Sequence, residues 1–180
     1  MGYSAQPRVF VVHDRRAYGP DVAPVAMRPG AKMSVYHETF ERAVIRDVTF
    51  HRTVARVIRT LLLAGKPPFV FSHSVDHLRA LSEVLKERHV PHRVLVGSSK
   101  TLQRDATVDL FAKQKDFALL ASSIFDEGAN VPEIRAVVFA GARKAVTELL
   151  QRMGRGIRAK DQDNTITVVP GMITAAEWSL

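Results

Sequence analysis

The chain has 180 residues, of which 46% are hydrophobic, enough for one domain with a sizeable buried core. It contains no run of eighteen apolar residues and no cysteine, which excludes transmembrane helices, disulfides and thiolate metal sites. The net charge of +8 favours a polyanionic partner, most often nucleic acid, although a basic protein need not have one.

The N-terminal part of the chain predicts little regular structure. A short strand is predicted at residues 8–12, whereas residues 13–35 are rich in proline and glycine and show no clear period. We therefore expect an irregular segment with one strand over residues 1–35 and a folded domain over residues 36–180. The N-terminus lacks the apolar core of a signal peptide, so we expect a cytoplasmic protein with no membrane partner.

A helical pattern begins near Tyr36 and leads into an amphipathic helix. Asp47 is a candidate N-cap of this helix, and Gly65 is a candidate C-terminal stop. The residues that recur at helical spacing and predict one apolar face are Phe50, Val54, Val57, Ile58, Leu61 and Leu62. Pro67 and Pro68 then predict an extended entry into a strand.

Beyond this helix, short apolar strands alternate with helices. Strands are predicted at 69–72, 93–96, 117–121, 136–140 and 165–169, and helices at 74–88, 101–113 and 145–153. This alternation predicts an α/β fold with a mainly parallel sheet and helices on both faces. Ligands of such sheets bind at the carboxyl ends of the strands, so the loops there are the candidate site.

The segment Gln151–Arg158 (QRMGRGIR) is the strongest chemical signal. Its Arg155 and Arg158, three residues apart at a helix end, project in nearly the same direction. Glycines at 154 and 156 allow a close approach of the backbone, and a guanidinium offers a planar fork of donors to phosphate oxygens. The alternative is a solvated basic helix end, where cations complement the helix dipole.

A second segment, Ser122–Pro132 (SSIFDEGANVP), follows a predicted buried strand. Together the two segments resemble motifs V and VI of superfamily 2 helicases, T-S-x-x-x-x-G-x-D-x-P and Q-R-x-G-R-x-x-R. Gly97, Arg104 and Phe111, each seven residues apart, match a third family pattern, and residues 69–74 lie where motif IV is expected. The I-F-D-E-G run is similar to that of phage-type and DNA-repair-type helicases, and a phage gene would place the protein in the bacterial host cytoplasm.

The resemblance implies a RecA-like three-layer sandwich that acts as the second lobe of an ATP-dependent helicase. It implies that Arg155 and Arg158 form a catalytic arginine finger directed at the γ-phosphate. The nucleotide-binding residues that it implies are Gln151, Gly128 and Asn130. The nucleic-acid-binding residues that it implies are Ser72, Ser74, Ser98, Lys100 and Ser122. At Ser122 and Asn130 the family pattern has Thr and Asp, so the hydroxyl is kept and a charge is lost.

The sequence contains neither a G-x-x-x-x-G-K-[ST] phosphate-binding loop nor an acidic D-E-x-D or D-E-x-H box. We therefore expect ATP and Mg²⁺ to bind mainly to a first RecA-like lobe, on another chain or on a part of the same protein not included here. The isolated chain is expected to be inactive, and its other partner is DNA or RNA. The alternative is a non-catalytic nucleic-acid-binding module that retains the fold, which the altered Ser122 and Asn130 favour slightly and the arginine pair disfavours.

Two weaker features remain. His73 and His77, four residues apart, have no carboxylate at a matching spacing, so we interpret them as surface residues or phosphate contacts rather than metal ligands. Ser98, Ser99 and Lys100 either bind phosphate through backbone N–H groups or supply an ordinary helix N-cap.

Overall fold

The computed structural model describes residues 6–9, 41–72, 74–97, 99, 101–122, 134, 136–140 and 165–169. The strands are β1 (Gln6–Val9), β2 (Pro68–Phe71), β3 (His92–Leu95), β4 (Ala118–Ala121), β5 (Ala136–Phe139) and β6 (Thr165–Val169). The helices are α1 (Val48–Leu63), α2 (Val75–Glu87) and α3 (Thr101–Lys113), and a π-helical turn (Glu41–Ile45) precedes α1.

The strands form one sheet in the order β1-β6-β5-β2-β4-β3, and each of these pairings is parallel. The predicted parallel α/β architecture is therefore confirmed. Strand β1 pairs with β6 from Gln6 opposite Thr165 to Val9 opposite Val168, so it starts two residues before the predicted strand. Residues 10–12 of that prediction lie outside the described residues.

Helix α1 begins and ends where its capping residues predict. The Asp47 carboxylate accepts the backbone N–H groups of Thr49 at 2.8 Å and Phe50 at 3.1 Å, which satisfies donors that have no partner within the helix. Gly65 follows the last turn at φ +66°, a conformation that a side chain disfavours, and its N–H donates to the Leu62 carbonyl at 3.0 Å. At 16 residues α1 is the longest described helix, and none of them is long and apolar enough to cross a membrane.

Strands β2, β4 and β5 are buried on both faces, since successive side chains of a strand point to opposite sides and helices cover each side. Val70 and Leu120 pack with α1 and α2 in one cluster, whereas Phe69 and Leu119 pack with Phe111 of α3 in a second cluster. All four strand residues have no exposed surface. Burial of each such side chain contributes roughly 1.5–3 kcal/mol, so both faces stabilise the sheet. The predicted helical layers on both faces are confirmed.

The start of β3 differs from the sequence-based expectation. Strand β3 begins at His92, one residue early, because His92 already pairs with Ala118 of β4. The His92 ring lies 2.8 Å from the Ser82 hydroxyl through Nε2 and 2.8 Å from the Val90 carbonyl through Nδ1. The irregular segment 13–35 and the predicted helix 145–153 lie outside the described residues.

Candidate functional site

The ends of three strands lie side by side at the carboxyl edge of the sheet. Because β2 is paired with both β4 and β5, Ser72 follows β2 between Ser122, which follows β4, and Ala140, which follows β5. The Ser72 N–H donates to the Ala121 carbonyl at 3.2 Å, and the Ala140 N–H donates to the Phe71 carbonyl at 2.9 Å. These bonds extend the ladder past the strands and fix the starting positions of the loops. This edge is where parallel sheets bind ligands.

The turn from β2 into α2 is organised by Ser72, Ser74 and His77. The Ser72 hydroxyl accepts the Ser74 N–H at 3.2 Å and lies 3.0 Å from Nδ1 of His77. The Ser74 hydroxyl in turn accepts the His77 N–H at 3.2 Å and caps α2. The three residues therefore link the end of β2 to the first turn of α2 at the centre of the sheet edge.

His77 is fully buried, so its interpretation as a surface residue or phosphate contact was wrong. The sequence did carry a signal for this burial, because His77, Leu81 and Leu85 are spaced i, i+4, i+8 on one face of α2. Nor do the described residues contain a cluster of His, Cys, Asp and Glu that could hold a metal ion. His73 lies outside the described residues.

Ser72 is likewise fully buried, and its hydroxyl is bonded within the turn. Its predicted contact with a nucleic-acid strand would require the bond to His77 to be exchanged, so in this structure Ser72 shapes the turn. Ser74 is half-buried at the start of α2. Ser122 is buried, with 6% of its surface exposed, at the end of β4.

A second buried histidine lies beneath the same edge. His51 of α1 is 2% exposed, and its ring stacks on that of His77 with centroids 5.2 Å apart. Phe50 packs beside both rings, 6.1 Å from His51 and 5.7 Å from His77. Burial lowers the pKa of His51 below its ordinary value of 6.5, while the Asp47 carboxylate and a hydrogen bond with the Val44 backbone act in the opposite direction with smaller effect. The neutral form of His51 is therefore favoured in the folded chain.

The loop after β3 forms a tight turn. The Ser99 N–H donates to the Val96 carbonyl at 2.8 Å, and the Ser99 hydroxyl accepts the Val96 N–H at 3.2 Å. The hydroxyl of Ser99 thus bonds back towards β3. Ser98 and Lys100, predicted to contact nucleic acid, lie outside the residues that the structure describes, and the choice between phosphate binding and N-capping stays open for them.

The remaining predicted site residues also lie outside the described part of the chain. They are the nucleotide-binding residues Gln151, Gly128 and Asn130 and the catalytic pair Arg155 and Arg158. Gly128 and Asn130 belong to the segment that follows Ser122 in the sequence, after the carboxyl end of β4. The roles of all five stay predictions.

The sequence matches a known family over more than half of its length. The family model described as "Helicase conserved C-terminal domain" matches residues 52–160. The chain is 26% identical over 138 residues to the protein translocase subunit SecA of Clostridium kluyveri, covering 73% of this chain and 15% of that protein. It is 28% identical over 101 residues to the ATP-dependent RNA helicase ddx23 of Dictyostelium discoideum, covering 55% of this chain and 12% of that protein. The chain thus spans at most about a sixth of the length of the curated relatives it matches.

Solved structures share the fold. The structure of T4 UvsW superposes with a TM-score of 0.64 at 21% identity, covering 78% of this chain and 28% of that one. At this identity the likeness concerns the fold alone, and it agrees with the RecA-like architecture that the motifs predict. The match with the family model rests on the sequence and is independent of the superposition.

Proposed function

Because this chain belongs to the helicase conserved C-terminal domain family, we propose that it is the second lobe of an ATP-dependent nucleic-acid helicase or translocase. In this proposal it works with a first lobe that carries the phosphate-binding loop, which this sequence does not contain. The observation that carries the proposal is the family match over residues 52–160, because this range includes both 122–132 and 151–158, the segments with the motif V and motif VI patterns.

The arginine pair is proposed to act across the interface between the two lobes. ATP bound with Mg²⁺ on the first lobe supplies the phosphoryl group that is transferred to water. Arg155 and Arg158 donate hydrogen bonds to its γ-phosphate oxygens and stabilise the charge that develops there, and a guanidinium keeps its own charge throughout. Gln151 and Asn130 position the nucleotide, and Gly128 allows its close approach. These roles rest on the resemblance of the motifs.

One nucleic-acid strand is proposed to run along the carboxyl edge of the sheet, past Ser74, Ser98, Lys100 and Ser122. Ser72 supports this surface from below through its bonds to Ser74 and His77. The relatives include both an RNA helicase and a protein translocase subunit, so the family leaves the class of polymer open. The net charge of +8 favours a polyanion and therefore nucleic acid over a polypeptide.

The second candidate is a nucleic-acid-binding module without a motor function. The asparagine and serine at positions 130 and 122 favour it, because the family pattern has Asp and Thr there. Both candidates bind nucleic acid, and only the motor gives ATP turnover when a first lobe is added. Measurement of ATPase with and without a first-lobe protein therefore separates them.

The binding step is tested by fluorescence anisotropy of a labelled oligothymidylate at several salt concentrations. We expect sequence-independent binding whose log–log salt slope is near −0.7 per phosphate contact. Lys100→Gln should make the slope shallower by about 0.7. Lys115→Gln is the matched control, because Lys115 is exposed and precedes β4, at the opposite edge of the sheet. A flat salt response, or an equal effect of both substitutions, would contradict the proposed path of the strand.

A further inference from the structure

Positive charge is concentrated on the exposed face of α1, a surface separate from the carboxyl edge of the sheet. Arg52, Arg56 and Arg59 are all exposed and are spaced i, i+4, i+7, so they lie in one row along the helix. None of the three makes an ion pair or side-chain hydrogen bond within the part of the chain that the structure describes. Helix α1 contains no Asp or Glu that could compensate them.

The other described helices do not share this property. In α2 four of the five exposed charged residues are paired, Arg79 with Asp76 at 3.4 Å and Lys86 with Glu83 at 2.7 Å, and the fifth, Glu87, is acidic. Helix α3 has two basic and two acidic residues. Three units of the net charge of +8 are therefore gathered on one side of one helix, which we call the α1 arginine row (Arg52, Arg56 and Arg59).

The α1 arginine row starts beside the candidate site. Phe50 and His51, at the first turn of α1, contact His77, and His77 bonds Ser72 at the carboxyl edge of the sheet. Arg52 thus lies on the turn of α1 nearest that edge. From there the row extends for about 10 Å, seven residues at 1.5 Å each, away from the edge and over the outside of the domain.

The chemistry of this face fits a phosphate backbone that is recognised by charge alone. The aromatic rings of α1, Phe50 and His51, are buried, so the face offers no platform for stacking the bases of a single strand. Its other polar residues include Thr53 and Thr60, whose hydroxyls donate to carbonyls of the preceding turn. In a duplex the phosphates of one strand advance about 3.4 Å each along the axis, so a row of about 10 Å spans roughly three of them.

We propose that the α1 arginine row binds the phosphate backbone of a nucleic-acid duplex that adjoins the strand held at the sheet edge. This inference rests on the proposed function in one respect, namely that the polymer is nucleic acid. It adds a second contact surface, away from the loops at the carboxyl edge, and assigns the duplex and the single strand to different parts of the same domain.

The test compares Arg52→Gln/Arg56→Gln/Arg59→Gln with a control that removes the same charge, Arg79→Gln/Lys86→Gln/Arg88→Gln from the neighbouring α2 and its C-cap. Binding of both variants and of the unmodified chain to a blunt duplex and to oligothymidylate is measured by anisotropy over a range of salt. For the row variant we expect the duplex salt slope to fall by about 2 to 3 units and duplex affinity to fall on the order of 100-fold at about 0.1 M salt. Its binding to oligothymidylate and the duplex binding of the control should change little.

Further outcomes decide the inference. Arg52→Lys/Arg56→Lys/Arg59→Lys should keep duplex binding, because charge rather than a guanidinium fork is required, and an unchanged circular dichroism spectrum should show that each variant folds. An equal loss of duplex affinity in the row variant and the control, or no loss in either, would overturn the inference. Binding to phosphatidylserine vesicles is measured alongside, and a row variant that loses only vesicle binding would also overturn it. If the unmodified chain binds oligothymidylate but no duplex, the inference fails and the proposed function stands. If the chain binds neither, the proposed function itself fails.

Discussion

The imidazole of His51 lies in a part of the core where water is excluded, with His77 stacked on it and Asp47 near the start of the same helix. Its Nε2 atom has no hydrogen-bond partner in the part of the chain that the structure describes. Protonation would place a second donor and a positive charge in this environment. We therefore expect the charge state of His51 to affect the stability of the domain and the packing beneath Ser72.

We expect the free energy of unfolding to fall on acidification because of His51. Burial lowers its pKa in the folded chain below 6.5, so between that lowered value and 6.5 the unfolded chain binds more protons than the folded chain. The contribution of neutral His51 to the free energy of unfolding is fully present above pH 6.5 and is lost as the pH falls through the pKa of His51 in the folded chain. Urea unfolding followed from about pH 7.5 to about pH 5 measures this loss.

His51→Gln should reduce the pH dependence, whereas His89→Gln, at an exposed histidine that follows α2, should leave it unchanged. An unmodified chain whose stability is constant over this range would contradict the assignment. So would a His51→Gln variant with the same pH dependence as the unmodified chain.

At the scale of the element, the N-terminus of α1 joins the core to the candidate site. Asp47 fixes where the helix starts, and the next turn carries Phe50, His51 and Arg52. One face of this turn packs under the sheet edge, and the opposite face begins the α1 arginine row. Loss of the Asp47 cap would fray the first turn of α1, which carries both the buried rings under the sheet edge and the start of the α1 arginine row.

Asp47→Ala should destabilise the domain by about 1 kcal/mol, because two backbone N–H groups lose their acceptor. For a chain of this size the melting temperature should fall by about 2–4 °C. Asp47→Ser should retain most of the stability, since a hydroxyl also caps. Asp76→Ala is the matched control, because the exposed ion pair of Asp76 with Arg79 contributes little. Equal melting temperatures of Asp47→Ala and the unmodified chain would rule out the capping role.

The elements were predictable where local chemistry determines them. Asp47 and Gly65 mark the ends of α1, and α3 and β6 have the predicted bounds. Strand β3 is displaced by one residue because its bounds depend on backbone pairing with β4, in which His92 lies opposite Ala118. A contact of this kind cannot be read from the period of a short strand.

At the scale of the whole molecule, the parallel sheet and its two helical layers follow from the alternation of short apolar strands with helices. The site was harder to predict, because its support comes from buried polar residues. Ser72 and His77 were both expected to be available to a ligand, whereas the fold uses each of them to hold the other. The α1 arginine row was also missed, although the spacing of its residues on an amphipathic helix was visible in the sequence.

The proposals assign three surfaces to one domain. The carboxyl edge of the sheet would hold one nucleic-acid strand, the α1 arginine row would hold the adjoining duplex, and the segment 151–158 would face ATP on the first lobe. Closure of the two lobes around ATP would then move the bound nucleic-acid strand relative to the first lobe, as in other domain-closure switches. The catalytic claim depends on Arg158 acting on the partner lobe rather than stabilising its own.

The most direct measurement is the ATP turnover of a two-lobe assembly containing Arg158→Ala, combined with the melting temperature of the isolated variant chain. We predict that turnover falls by about 10³–10⁵, as for other arginine fingers, while ATP binding falls much less and the melting temperature is unchanged. Arg158→Lys should restore little activity, because an ammonium lacks the planar fork, and Arg79→Ala should be neutral. A large fall in melting temperature, with turnover lost only in proportion to the unfolded fraction, would contradict the account.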